Sequence, residues 1–157
     1  PPPPPGAAAA PPGPVAPARA APTRAQRPPL PPPGTSAQET WAALVGWCAQ
    51  AGIADAGILS DATGAIVAAR GEMPAGAPGE LQGALSGALA AARRSAGIGA
   101  AAAAVEVGER WLTAFEVAVP GQGDLVAVLR GAAPLRAGVR SAIAAWLAEA
   151  LSRAGAR

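Results

Sequence analysis

The chain has 157 residues, with 12 basic and 10 acidic side chains, one Cys and no His or Tyr. Every basic residue is Arg, so chemistry that rests on His or Lys is excluded, as are an intramolecular disulfide and a multi-cysteine metal site. The net charge of +2 hides an asymmetry: residues 1–35 carry three Arg and no acid, and the remainder carries nine Arg against ten acids.

No basic face follows from that balance, and no nucleic-acid partner is expected. The Ala-rich stretches are too weakly hydrophobic to insert into a bilayer, so no membrane partner is expected either. No basic, Leu-rich leader is visible. The sequence opens on Pro1 and not on Met, which leaves open a segment ahead of it. A single Cys is compatible with a reducing, cytoplasmic setting.

Residues 1–35 hold 15 of the 19 prolines and almost no large apolar side chain beyond Val15 and Leu30. Such a stretch cannot bury enough surface to offset its ordering entropy, and it reads as a disordered tail rich in proline and alanine. Arg27-Pro28-Pro29-Leu30-Pro31-Pro32-Pro33 has polyproline II character. It reads as a spacer in preference to a docking peptide for an aromatic groove.

Composition shifts at Gly34. Ser36-Ala37-Gln38-Glu39 matches a capping box, with Ser36 as the N-cap and Glu39 reaching back. A helix follows, with Trp41, Leu44, Val45 and Cys48 on one face. Gly52 is its natural stop.

Asp61-Ala62-Thr63-Gly64 then sits between two short runs, Gly57-Ile58-Leu59 and Ala65-Ile66-Val67. Asp first and Gly fourth suit a type I turn, and the flanks suit strands, so this is a hairpin corner. A phosphate loop would need more glycines, an immediate helix and usually a Lys.

Met73–Gly79 is a loop. A second helix spans 79–96, with Leu81, Ala84, Leu85, Ala88, Leu89 and Ala92 as its apolar stripe. Gly83 and Gly87 lie four apart beside it. Each costs about 1 kcal/mol against Ala in a helix; either a close helix–helix approach offsets that cost, or glycine is simply common in this chain. Ala100–Val107 is the third strand, and Gly108-Glu109 is its turn. Arg110–Val119 is the fourth strand, with Trp111, Thr113, Phe115, Val117 and Val119 on one face. Asp124–Arg130 is the fifth. A last helix starts near Pro134, with Leu135, Val139, Ile143, Trp146, Leu147, Ala150 and Leu151 as its buried stripe.

The expected fold is α+β: a five-stranded antiparallel sheet covered by helices on both faces, in the order α-β-β-α-β-β-β-α. This order, together with Gly57-Ile58-Leu59-Ser60-Asp61-Ala62-Thr63-Gly64-Ala65-Ile66-Val67 and Leu125-Val126-Ala127-Val128-Leu129, resembles the roadblock family over residues 36–157. Bacterial members of that family regulate small Ras-like GTPases.

The resemblance implies strand order 2-1-5-4-3, with the second helix on one face and the first and third on the other. It implies a homodimer with second helices packed together and third strands paired edge to edge. Leu81, Gly83, Leu85, Gly87, Ala91, Arg94, Ala101, Ala103 and Val105 would then lie at the dimer or GTPase interface. Two features of the chain suit dimerisation. The third strand has no Pro or Lys guarding its edge, and the core is poor in large side chains. Its near-continuous Ala is the departure, because Ala is a weak strand former.

Catalytic chemistry is not expected, and neither is a cofactor, a metal or a small-molecule substrate. Cys48 reads as a buried, unreactive thiol. Asp55 and Asp61 read as capping and turn residues. Glu106, Glu109 and Glu116 read as solvated or cross-strand charges. Arg93 and Arg94 read as complements to the helix C-terminus, with a partner-facing patch as the sharper reading and no arginine finger assigned. The expected function is a non-catalytic regulator of a small Ras-like GTPase. The alternative is a dimeric scaffold that tethers proteins through the domain and its proline-rich arm.

Overall fold

The computed structural model describes residues 27–73, 78–96 and 101–155. Its elements are α1 (Ala37–Gln50), β1 (Ala56–Asp61), β2 (Ile66–Arg70), α2 (Pro78–Ala96), β3 (Ala102–Val107), β4 (Arg110–Val119), β5 (Gly123–Gly131) and α3 (Ala137–Gly155). The five strands form one antiparallel sheet in the order β2-β1-β5-β4-β3. The central strand β5 is the last in sequence, so the two hairpins formed earlier in the chain are joined only when it pairs with both.

The capping box is present in full. The Ser36 hydroxyl accepts from the Glu39 amide at 3.2 Å, and the Ser36 amide donates to the Glu39 carboxylate at 3.0 Å. Two apolar layers follow from the strand alternation. One joins Trp41, Leu44, Val45 and Cys48 of α1 and Ile143, Trp146, Leu147 and Leu151 of α3 to Leu59, Phe115, Val117, Ala127 and Leu129 of the sheet. The other sets Leu85 and Leu89 of α2 on Leu112, Ala114 and Val128. β4 shows the alternation directly, with Phe115 and Val117 facing α1 and α3 and Leu112 and Ala114 facing α2.

The Asp61–Gly64 segment is a hairpin corner. The Asp61 carboxylate accepts from the Thr63 amide at 2.8 Å, the Thr63 hydroxyl at 2.6 Å and the Ala65 amide at 2.9 Å. Gly64 closes the turn at φ 90°, in the left-handed region glycine occupies without cost. The register then slips at Leu59/Ser60, so β2 begins at Ile66 and not at Ala65.

Three details depart from expectation. Helix α3 starts at Ala137; ahead of it Leu135 is buried, and its amide donates to the Thr113 hydroxyl at 3.1 Å. The apolar stripe of α2 is narrower than its pattern, since Leu85 and Leu89 are buried while Ala84 and Ala88 are exposed. Asp55 makes ion pairs and no cap, with Arg130 at 2.8 Å and Arg110 at 3.4 Å. These tie the start of β1 to β5 and β4.

Candidate functional site

Among the described residues, α2 is the one helix on its face of the sheet, and it lies over β3 and β4. Only one side of it is used within the described chain. Leu85 and Leu89 are 3% and 2% exposed and rest on the sheet. Gly83, Ala84, Gly87, Ala88 and Ala91 are exposed and share the opposite side. A Cβ added at Gly83 or Gly87 would meet nothing within 4 Å. No contact among the described residues therefore offsets the helix cost of these two glycines.

Beside this face lies β3, the last strand of the sheet, with its outer edge free of any described strand. Ala101 is buried and Ala103 is half-buried under α2, whereas Val105 is 37% exposed. Arg94 is exposed at the end of α2. The nine expected interface residues thus divide. Gly83, Gly87, Ala91, Arg94 and Val105 lie on open surface. Leu85, Ala101 and, in part, Ala103 are turned into the layer between α2 and the sheet. The side chain of Leu81 lies outside the described residues.

Arg93 has a different job from its neighbour. Its guanidinium holds Glu116 at 2.6 Å and Asp124 at 3.6 Å. The hydrogen bond to Glu116 raises its pKa, with the charges of Glu116 and Asp124 adding to it. The pair pins the C-terminal turn of α2 to β4 and β5, so Arg93 anchors the helix and Glu116 is not a solvated charge.

Elsewhere, Cys48 is fully buried, and burial pushes its thiol up to about 12, far from thiolate chemistry at neutral pH. Among the described residues no group of three or more His, Cys, Asp or Glu could hold a metal ion. No described helix is long and apolar enough to cross a membrane.

A similar fold occurs in solved structures. The gliding protein MglB from Thermus thermophilus is similar at 21% identity with a TM-score of 0.50, over 74% of this chain and 89% of that one. The chain has the roadblock-like fold. A structure of MglB with a tetrameric arrangement is similar at 18% identity and the same TM-score, over 74% of this chain and 88% of that one. No family model and no curated protein matches the sequence. Within the roadblock-like fold, the open side of α2 and the free edge of β3 are adjacent, and together they form the candidate site.

Proposed function

We propose that this chain is a non-catalytic, roadblock-type regulator that self-associates through α2 and the β3 edge and binds a small Ras-like GTPase. The observation that carries the reading is the pair of exposed glycines on α2, Gly83 and Gly87, beside an unguarded strand edge in a roadblock-like sheet. Small residues let a second helix backbone approach closely, and a free edge lets a second sheet continue the first. The tetrameric arrangement of one MglB structure supports the self-association part of this reading. Arg94, exposed at the end of the same helix, would face the partner.

A regulator shifts its GTPase only through unequal affinity for the two nucleotide states. The test is binding of the full chain to candidate small GTPases loaded with GDP or with a non-hydrolysable GTP analogue, read beside hydrolysis rates. Unequal affinity or a changed rate supports the proposal. Equal affinity with unchanged hydrolysis overturns it and leaves the scaffold reading.

A further inference from the structure

The segment Arg27–Pro33, expected to belong to the tail, is seated on the face opposite α2. The Trp146 indole donates to the Pro28 carbonyl at 2.8 Å. Leu30 packs against the α1/α3 core layer. Arg27 and Pro28 line a crevice with Leu44, Trp47, Ile143 and Trp146.

Burial from Arg27 to Pro32 has a period of three, which the exposed Pro33 does not continue. Arg27, Pro28, Leu30 and Pro31 are half-buried, while Pro29, Pro32 and Pro33 are exposed. Three residues per turn is the repeat of polyproline II, and five residues here precede a proline, which biases them to that conformation. At its far end the Pro32 carbonyl accepts from the Thr35 amide at 3.2 Å and the Thr35 hydroxyl at 2.7 Å. Gly34 takes φ 84° in that turn, delivering the chain straight into the Ser36 cap.

A tryptophan N–H on a proline carbonyl, proline faces against aromatic walls and one aliphatic anchor are the contacts by which grooves read proline-rich peptides. We infer that the α1/α3 face is a polyproline-reading groove, that Arg27–Pro33 is its resident ligand, and that a partner's segment of the Pro-Pro-Leu-Pro type displaces it. The seated segment shows what chemistry the groove accepts. This site lies across the sheet from the α2 surface and does not depend on the GTPase reading.

The experiment uses the full chain and a fluorescent peptide of sequence Gln-Arg-Pro-Pro-Leu-Pro-Pro-Pro-Gly, with fluorescence anisotropy as the readout. A tethered ligand competes at an effective concentration in the millimolar range, so the native chain should bind the peptide weakly. Leu30→Asp removes the resident anchor and should tighten peptide binding by at least about tenfold. Adding Trp146→Phe to that variant should reverse the gain, and a peptide with Asp in place of its Leu should not bind. A folded Leu30→Asp chain that binds no better than the native chain overturns the inference. A second measurement covers a variant that fails to fold. In the native chain, the methyl resonances of Leu30 should move toward random-coil positions as peptide reaches millimolar concentration and releases the resident segment, and stationary resonances would refute the groove.

Discussion

The Trp41 indole donates to the Gly57 carbonyl at 3.1 Å, and its ring occupies the space a side chain at Gly57 would take. A Cβ there would lie 2.8 Å from Trp41 Cζ2, 2.7 Å from Leu129 Cδ2 and 2.8 Å from the Val128 carbonyl oxygen. The first glycine of the hairpin motif is thus a seat for the first helix, which joins α1 to β1 and β5.

Gly57→Ala should therefore destabilise the fold by about 3 kcal/mol, the upper end for overpacking, because one of the clashing atoms is backbone and cannot swing away. Trp41→Phe should cost about as much by another route, leaving the Gly57 carbonyl without its donor and a gap beside it. Urea unfolding followed by far-UV circular dichroism measures both. A loss near zero for Gly57→Ala would mean that α1 does not sit on β1 as described.

Two carboxylates should contribute to the acid limb of stability. Hydrogen bonds from the Thr63 side chain and the Ala65 amide hold Asp61 below the usual carboxylate range. The Ser36 side chain and amide do the same for Glu39. Both folded pKa values lie under their unfolded values of about 4, so each contribution is complete above that pH and is lost as pH falls through the folded value. Asp61→Asn keeps an acceptor for the turn but cannot titrate. The drop in urea midpoint between neutral pH and pH of about 3 should be smaller in Asp61→Asn with Glu39→Gln than in the parent. An unchanged drop would place the acid sensitivity elsewhere.

What could be read from the chain alone was whatever is encoded locally. The Ser36–Glu39 box, the Asp61–Gly64 corner and the alternation along β4 each depend on residues a few positions apart. The strand order came with the family resemblance, and the sheet has that order.

Long-range partners carry no local signal. Asp55 and Arg130 are 75 positions apart, and Trp146 and Pro28 are 118 apart. In sequence Arg93 reads as a helix-end charge, and only the fold brings Glu116 of β4 against it. The Ala run of β3 has poor strand propensity, yet it pairs from Ala102 to Val107, because β4 supplies a complete ladder of partners. At the candidate site, periodicity located the stripe of α2. Only the sheet beneath separates its buried leucines from its exposed glycines.

Cys48 offers a probe of global unfolding. Its thiol is buried and its pKa is raised to about 12, so a thiol reagent should react only through opened molecules. The labelling rate at neutral pH should rise with urea in parallel with the unfolding transition. Cys48→Ser, which puts a hydroxyl into the apolar layer, should cost about 1–3 kcal/mol, and Cys48→Ala should cost less. Fast labelling without denaturant would contradict the burial of this helix face.

The exposed side of α2 separates a single-chain role from an interface role. Gly87 has open space around it, so Gly87→Ala should stabilise a lone chain by about 1 kcal/mol through helix propensity alone. Gly87→Leu should also be tolerated in a lone chain, because nothing lies within 4 Å of its Cβ. In an assembly that brings a second α2 against this side, the same leucine would hold the two backbones apart. Light scattering and sedimentation over a concentration series should then show self-association weakened by about tenfold or more, while the urea midpoint of the dissociated chain stays level or rises. Self-association that survives Gly87→Leu would move the interface away from α2 and leave the β3 edge as its remaining support.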